Sequence, residues 1–247
     1  MDNIVVVMAG GLGKRMNSDL PKVLHEVNHK PMLIHVIEKS MLINPIKIIV
    51  VVGKFFDLIS KCIDKYNLSN IVTYAHQDQP LGTGHAIKCC RNLLLNHTNC
   101  NTIILSGDVP LIQGYTIFNM LQNMGYAKIL TTDIKDPTGY GRIIEKNDAF
   151  FKIVEEKDCD SKQKEISKIN GGIYCFNNRI LCKYINEIKN DNAQNEFYLT
   201  DILEIIKNKE YVQIDQHFLS YEDQYQILGV NTPEQLKQIS MKYSNFL

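Results

Sequence analysis

Residues 4–22 read Ile-Val-Val-Val-Met-Ala-Gly-Gly-Leu-Gly-Lys-Arg-Met-Asn-Ser-Asp-Leu-Pro-Lys and set the fold class of the chain. The run of β-branched residues at 4–7 is typical of a buried parallel strand. It leads without a spacer into three glycines, whose missing Cβ atoms let backbone N–H groups approach phosphate oxygens. Because open α/β sheets bind ligands at the carboxyl ends of their strands, these residues predict a phosphate site there.

The loop after this strand is basic, with Lys14, Arg15 and Lys22. It is neither the Gly-x-Gly-x-x-Gly dinucleotide loop nor a Walker loop, because the third glycine and the Gly-Lys-Ser/Thr ending are absent. Considered alone, the stretch is equally compatible with a glycine-rich turn between solvated charges. Residues elsewhere in the chain are needed to distinguish a phosphate site from a simple glycine-rich turn.

Composition excludes several function classes. The 247 residues carry 27 Lys+Arg and 27 Asp+Glu, so no global basic field favours nucleic acid or a membrane surface. The seven cysteines form no Cys-x-x-Cys pair and no secretory signal is recognisable, which indicates reduced thiols. Purely apolar runs such as residues 48–52 are far too short to span a bilayer. We therefore expect a soluble cytoplasmic protein.

Strand and helix patterns alternate in the first half of the chain. This alternation predicts a Rossmann-like, mostly parallel sheet with helices on both faces. The predicted strands are at 46–52, 71–75 and 102–106, and the predicted helices follow Pro31 and cover about 58–66 and 86–94. No repeat or linker interrupts the pattern.

From about residue 127 the predicted strands are closer together, which indicates a smaller antiparallel lobe. These strands are at 127–132, 142–145, 150–155 and 173–176, followed by helices at 196–207 and 233–243 with a strand-like segment at 211–219. We expect one domain over residues 1–247, divided into a first part (1–126), a lobe (127–228) and a returning segment (229–247) that packs on the first half.

Two oxygen-bearing side chains have positions suited to a metal ion. Asp108 directly follows a predicted buried strand, and Asn231 precedes a helix that starts near Thr232 and Pro233. Carboxylate and amide oxygens with few other protein ligands suit Mg²⁺, which keeps several waters. With Arg15 and Lys22 as cations for the phosphates, the set predicts a metal-assisted triphosphate site.

Each of these residues also has a purely structural interpretation. Asp108 could form a turn, Asn231 could be a residue of a helix N-terminal turn, and Lys22 could be a solvated surface lysine. His85 lies at a predicted helix start, and packing or capping explains it better than catalysis. The joint occurrence of the acidic, amide and cationic residues favours the functional interpretation.

Five motifs together resemble those of sugar-1-phosphate nucleotidyltransferases over residues 1–241. Within this superfamily the chain is similar to the uridylyltransferase half of bacterial bifunctional N-acetylglucosamine-1-phosphate uridylyltransferase/glucosamine-1-phosphate acetyltransferases. The motifs are Met-Ala-Gly-Gly-Leu-Gly-Lys-Arg-Met at 8–16, Leu-Gly-Thr-Gly-His-Ala at 81–86, Gly-Asp-Val-Pro-Leu at 107–111, Asp-Pro-Thr-Gly-Tyr-Gly-Arg-Ile at 136–143 and Asn-Ala-Gln-Asn-Glu-Phe-Tyr-Leu-Thr-Asp at 192–201. The last two motifs are the most specific.

The resemblance implies a role for each matching residue. The backbone of the glycine-rich loop, residues 8–11, contacts the nucleotide, and Gln77 and Gly82 bind the uracil edge. Arg15 and Lys22 are catalytic residues that contact the phosphates. The metal ligands for Mg²⁺ are Asp108 and Asn231, and Asp108 is also one of the catalytic residues. The substrate-binding set is Met8, Ala9, Gly10, Gly11, Lys22, Gln77, Gly82, Thr83, Ser106, Gly107, Gly141, Glu155, Asn170 and Asn231, of which Thr83, Gly141, Glu155 and Asn170 line the sugar pocket.

The implied reaction joins UTP and N-acetylglucosamine 1-phosphate to give UDP-N-acetylglucosamine and pyrophosphate. Departures from the family pattern at Lys14, Gly10, Ser106, Gly171 and Pro80 leave open another sugar 1-phosphate, such as glucose 1-phosphate. A non-catalytic nucleotide-sugar-binding protein is a further alternative. Since no hexapeptide repeats follow, we expect no β-helix acetyltransferase domain, one activity, and a monomer or homodimer.

Overall fold

The structure, a computed structural model, describes residues 1–244. Its first part alternates strand and helix, as the apolar runs and helical spacings predict. The elements are β1 (Asn3–Met8), β2 (Glu26–Val27), β3 (Lys30–Pro31), α1 (Met32–Met41), β4 (Lys47–Val52), α2 (Phe56–Lys65), β5 (Val72–His76), α3 (Thr83–Leu95), β6 (Asn101–Ser106) and α4 (Gly114–Leu121).

The second part is richer in strands, and its last helix returns to the first part. The elements are β7 (Ala127–Asp133), β8 (Arg142–Lys146), β9 (Ala149–Val154), α5 (Ser161–Lys164), β10 (Lys168–Asn177), α6 (Asn178–Tyr184), α7 (Asp201–Glu210), β11 (Asp215–Phe218) and α8 (Pro233–Ser244). Ile239 of α8 is buried in a cluster with Met16, Val27 and Met32. Apolar contact therefore anchors α8 beside the glycine-rich loop.

One nine-stranded mixed sheet organises these elements in the order β11-β7-β10-β6-β1-β4-β5, with the β8–β9 hairpin attached to β10. β1 lies parallel to both β4 and β6. The chain moves from β1 outward through β4 and β5, then returns to the other side of β1 as β6. The carboxyl ends of β1 and β6 thus form a topological switch point, where open α/β sheets bind their ligands.

The central strands are apolar because both faces of the sheet are covered. Ile4, Val5, Val6 and Val7 are all fully buried, and they divide between two core clusters on opposite faces. Both core clusters thus reach β1, and the loop that follows it starts from a rigid position.

β10 makes the sheet mixed, since it runs antiparallel to β6 and β7. Its pairing with β7 shifts register between Asn170 and Tyr174, where Gly172 has a φ of 73°. A bulge of this kind bends the strand and redirects side chains. Here it lies at the end of the sheet where the site forms.

The predicted fold class is confirmed: the sheet is mostly parallel and covered by helices, with an antiparallel part. Two local predictions are wrong, because the predicted helix at 196–207 begins only at Asp201 and the strand-like segment at 211–219 shrinks to β11. The short strands β2 and β3 and the helices α4, α5 and α6 were not predicted. Within residues 1–244, every helix falls short of the length and apolar character needed to cross a membrane.

Residues 196–200 are not helical because their backbone is engaged elsewhere. The Phe197 N–H donates to Leu81 O at 2.8 Å, and the Gly84 N–H donates to Phe197 O at 2.7 Å. These long-range bonds hold Phe197 against the start of α3, whereas a helix from residue 196 would use the Phe197 carbonyl internally. Tertiary contacts here override local helix propensity.

Candidate active site

Four predicted site residues meet at the switch point. Lys22 forms an ion pair with Asp108 and donates to Asn231 Oδ1 at 2.9 Å. The Arg15 guanidinium donates to the same Asn231 oxygen at 3.0 Å. The partners are separated by 86 to 216 positions in the chain, so only the fold brings them together. We call Arg15, Lys22, Asp108 and Asn231 the central cluster.

The glycine-rich loop folds back on itself to present both cations. Arg15 lies in a single 3-10 turn, Lys14–Met16, flanked by left-handed backbone at Gly13 (φ 59°) and Asn17 (φ 48°). A Cβ on Gly13 would lie 2.8 Å from Lys22 Cβ, so only glycine permits this close return. Lys22 follows Pro21 and starts a second 3-10 turn, Lys22–Leu24.

The two oxygen-bearing residues are held by backbone contacts. Asp108 follows β6, and its carbonyl accepts from the Val230 N–H at 3.0 Å, which places the neighbouring Asn231 beside it. Thr232, rather than Asn231, supplies the side-chain cap of α8, because its hydroxyl accepts from the Gln235 N–H at 3.3 Å. The Asn231 side chain is therefore not used for capping and points to the cations.

Asp108 and Asn231 are the two residues of the central cluster whose side-chain oxygens could hold a hard cation. The Lys22 ammonium contacts both of their oxygens, so one positive centre already reaches the two groups at once. Among residues 1–244, no group of three or more His, Cys, Asp or Glu side chains is arranged to hold a metal. A metal ion at the central cluster would thus need phosphate oxygens and water as its remaining ligands, which suits Mg²⁺.

A cavity of about 290 Å³ opens on one side of the central cluster. Ten predicted site residues line it: Met8, Ala9, Gly10, Gly11, Lys22, Gln77, Gly82, Ser106, the predicted metal ligand Asp108, and Thr83, which was predicted for the sugar pocket. Val23, Pro80, Ala86 and Glu196 also line it and were not predicted. We call this the first cavity.

Gln77 is held rigidly in the wall of the first cavity. Only 6% of its surface is exposed, and its amide nitrogen lies 3.0 Å from Gly82 O and 3.2 Å from His85 Nδ1. His85 therefore positions Gln77 and packs near Phe197, which agrees with its structural interpretation. A Cβ on Gly10 would lie 3.0 Å from the Gln77 amide oxygen, so the glycine keeps the two segments close.

The start of α3 is built against the 196–200 segment. Gly82 has a φ of 105°, and a Cβ there would lie 2.6 Å from Phe197 O. The Thr83 hydroxyl accepts from the Leu199 N–H at 3.0 Å. These contacts fix the wall of the first cavity, and the 192–201 motif was the sequence feature that could have indicated it.

A second cavity of about 350 Å³ lies on the other side of the central cluster. Arg15, Ser106, Asn170 and Asn231 line it, and Ser106 also faces the first cavity. Asn170 is buried and satisfied: its amide donates to Tyr174 Oη at 2.7 Å and its oxygen accepts from the Gly172 N–H at 2.9 Å. The cavity is completed by residues that were not predicted: Val109, Thr138, Gly139, Tyr140, Gly171, Gly172, Ile227, Gly229 and Gln235.

Glu155 lies apart from both cavities. It lines a third cavity of about 230 Å³ together with Asp158, Asp201 and Glu204, and the Thr200 hydroxyl donates to it at 2.9 Å. Burial, reinforced by the Asp158 charge, raises the pKa of Glu155 above its ordinary value. Its other carboxylate oxygen would lie 3.2 Å from a Cβ on Gly141, the residue that separates Glu155 from Asn170.

Gly107 and Gly141 contribute through close packing. A Cβ on Gly107 would lie 3.1 Å from Met8 O, and one on Gly141 would lie 2.9 Å from a methyl group of Ile153. Neither glycine lines the first or second cavity. The sequence motifs therefore mark some residues that shape the site without facing it.

The chain resembles known proteins over most of its length. Residues 4–223 match the family model described as "Nucleotidyl transferase". The chain is 43% identical over 240 residues to a "Probable UDP-N-acetylglucosamine pyrophosphorylase" of Acanthamoeba polyphaga mimivirus, covering 95% of this chain and 94% of the relative. It is 41% identical over 242 residues to the "Bifunctional protein GlmU" of Clostridium beijerinckii, covering 96% of this chain and 51% of that protein.

The chain thus spans about half the length of its bifunctional relatives. Among solved structures, a "Putative Glucose-1-Phosphate Thymidylyltransferase" from Bacillus anthracis has a TM-score of 0.73 at 22% identity, covering 97% of this chain and 94% of that one. A "UDP-glucose pyrophosphorylase" has a TM-score of 0.77 at 17% identity, with both chains fully covered. At these identities the two structures support the fold alone, whereas the family match and the curated relatives lead to one conclusion: the chain belongs to the nucleotidyltransferase family.

Proposed function

We propose that the protein transfers UMP from UTP to N-acetylglucosamine 1-phosphate, giving UDP-N-acetylglucosamine and pyrophosphate. The observation that carries the proposal is the position of the central cluster between two cavities. There the cations of Arg15 and Lys22 contact the side-chain oxygens of Asp108 and Asn231, which could hold a metal ion. The choice of sugar is supported by the mimivirus relative, named as a probable UDP-N-acetylglucosamine pyrophosphorylase, which is 43% identical over nearly the whole chain.

The first cavity suits the nucleotide. Its glycine-rich wall offers backbone N–H groups, and the buried Gln77 carries both a donor and an acceptor, as the uracil edge requires. The second cavity, with Asn170 in its wall, suits the sugar phosphate. Ser106 lines both cavities, so the two substrates can meet beside the central cluster.

In this arrangement no general base is needed, because the sugar phosphate is already an anionic nucleophile. One of its oxygens attacks the α-phosphorus of UTP, the bond from that phosphorus to the bridging oxygen breaks, and the electron pair leaves with pyrophosphate. Arg15 and Lys22 neutralise charge on the leaving pyrophosphate, for which a small cavity of about 120 Å³ beside them and Asn231 offers room. The protein contributes alignment and charge stabilisation.

Asp108 and Asn231 are proposed to hold Mg²⁺. The ion supplies charge neutralisation that lets two anionic phosphates approach each other. Lys22 contacts both of these side-chain oxygens, so a metal ion held by them would replace the ammonium, which could then contact a phosphate. Lys22 is therefore proposed to serve first as counter-ion and then as phosphate ligand.

A pyrophosphate-release assay with UTP, magnesium and several sugar 1-phosphates tests the proposal. We expect N-acetylglucosamine 1-phosphate to give the highest kcat/KM, with glucose 1-phosphate as the principal competitor. Rejection of the N-acetylated sugar would refute the choice of acceptor. Absence of pyrophosphate release with every acceptor would favour a nucleotide-sugar-binding protein without turnover.

A further inference from the structure

The 136–141 loop between β7 and β8 forms a wall of the second cavity. The Tyr140 side chain packs on a core cluster, but the loop backbone requires other support. Thr138 and Gly139 are exposed and line the cavity together with Tyr140. Within the loop, the Tyr140 N–H donates to Pro137 O at 3.1 Å and the Thr138 N–H donates to Asp136 Oδ1 at 3.2 Å. These bonds shape the turn but do not attach it to the sheet.

The attachment comes from Arg142 and Glu156. The Arg142 side chain, 1% exposed, donates to Tyr140 O and lies 2.7 Å from Glu156 Oε2. The Gly139 N–H donates to that same carboxylate oxygen at 3.2 Å. Since Arg142 pairs with Val154 in β9, one carboxylate connects the loop backbone to a residue fixed within the sheet.

The loop is also joined to Asn170, which lines the second cavity. The Asn170 N–H donates to Gly141 O at 2.8 Å, so the end of the loop and the buried Asn170 are joined directly. Arg142 and Glu156 do not themselves line the second cavity. Any effect they have on a ligand there must act through the loop.

The Glu156 carboxylate is stabilised in its charged form. Burial alone would raise its pKa, but the Arg142 guanidinium and the Gly139 N–H together bring the pKa below the ordinary value. A charge-assisted bond from a planar guanidinium is also directional, which suits a contact that has to define position.

We propose that Glu156, oriented by Arg142, is a positioning residue that holds residues 138–140 where the sugar phosphate acceptor binds. This inference rests on the proposed function, because it identifies the second cavity as the acceptor site. Loss of the carboxylate would free the loop and weaken acceptor binding, whereas the first cavity and its nucleotide contacts would be unaffected.

Glu156→Ala tests the inference, with Glu145→Ala as its matched control. Glu145 also forms a 2.7 Å ion pair, with Lys168, and is similarly exposed, but it lies at the far end of β8. We expect Glu156→Ala to raise the KM for the acceptor by about tenfold and to leave the KM for UTP within about twofold. Glu156→Gln, which keeps an acceptor for the Gly139 N–H, should give a smaller rise. Glu145→Ala should change neither KM.

Hydrogen exchange in the ligand-free protein gives a readout that does not depend on turnover. We expect the amides of residues 139–141 to exchange faster in Glu156→Ala than in the wild type or in Glu145→Ala. Unchanged exchange, or equal rises in both KM values, would overturn the inference. A wild-type enzyme inactive with the acceptor would refute the proposed function, and the exchange comparison would still test the loop. Arg142 is fully buried, so its replacement risks unfolding and is not the variant of choice.

Discussion

Replacing Lys22 with methionine tests whether the central cluster works as proposed. Lys22→Met keeps most of the apolar stem but removes the ammonium that contacts Asp108 and Asn231. If Lys22 stabilises the departing pyrophosphate, turnover should fall at least about a hundredfold, which corresponds to about 2.7 kcal/mol of lost transition-state stabilisation. The measurement is pyrophosphate release at saturating magnesium and both substrates.

The same substitution has a separate effect on stability. The Lys22 and Asp108 side chains are only 16% and 17% exposed, so loss of one partner leaves a largely buried charge. We expect Lys22→Met to lower the free energy of unfolding by about 2 kcal/mol without ligands. In an Asp108→Asn background, where no carboxylate remains to be stranded, the cost should fall below about 0.5 kcal/mol. Urea unfolding of the four proteins of this cycle measures the difference.

Lys30→Met is the matched control. Lys30 also forms an ion pair, with Glu38 at 2.6 Å, but the two side chains are 32% and 41% exposed. Loss of this surface pair should cost less than about 1 kcal/mol and leave turnover unchanged. The reasoning is refuted if Lys22→Met retains turnover within about tenfold of the wild type, or if its stability cost is the same with and without the Asp108 carboxylate.

Three further predictions concern backbone, charge and metal. Gly82→Ala should lower the free energy of unfolding by about 2–4 kcal/mol in urea titrations, because its Cβ would meet Phe197 O at 2.6 Å with φ at 105°, whereas Gly11→Ala, facing open space, should not. Burial, together with the Glu155 charge, raises the pKa of Asp201 from 3.8 to about 6, so its contribution to stability is present below pH 3.8 and is lost as the pH rises through 6. Asp201→Asn should therefore stabilise the protein at pH 7.5 by about 1–2 kcal/mol after allowance for solvent screening, and unfolding curves of both proteins between pH 4 and pH 7.5 should diverge. EDTA should abolish pyrophosphate release without shifting the unfolding temperature, since Lys22 neutralises Asp108 in the absence of metal.

Much of the fold could be predicted because its causes are local. The β-branched run of β1 and the glycines after it predict a buried strand and its loop from a few neighbouring residues. The alternation of strand and helix patterns then predicts the parallel sheet. α4 could not be predicted in this way. It begins at Gly114, although glycine is a poor helix former. A Cβ at this position would lie 2.2 Å from the Leu42 side chain at the end of α1. Close helix packing, which the local sequence does not reveal, selects that glycine.

The candidate site shows the same division between local and long-range causes. The glycine-rich loop could be predicted from its own short stretch to face a ligand cavity, and the family resemblance pointed to Gln77, which lines the same cavity. The support given by Glu156 to residues 138–140 could not be predicted, since it depends on a carboxylate from beyond β9. Sequence motifs identify groups that meet a ligand more readily than groups that hold those residues in place.

Asn231 illustrates what decides between a structural and a functional interpretation. In the sequence, Asn231 and Thr232 are both suitable N-cap residues for α8. Whichever residue caps the helix, the side chain of the other is available for the site. In the structure the Thr232 hydroxyl caps the helix, while the Asn231 N–H is satisfied by the Gln235 side chain at 2.7 Å. The Asn231 amide oxygen is thereby released to meet Lys22 and Arg15. Because the helix start needs only one side-chain oxygen, the second becomes available for charge, and the fold directs it to the point between the two cavities.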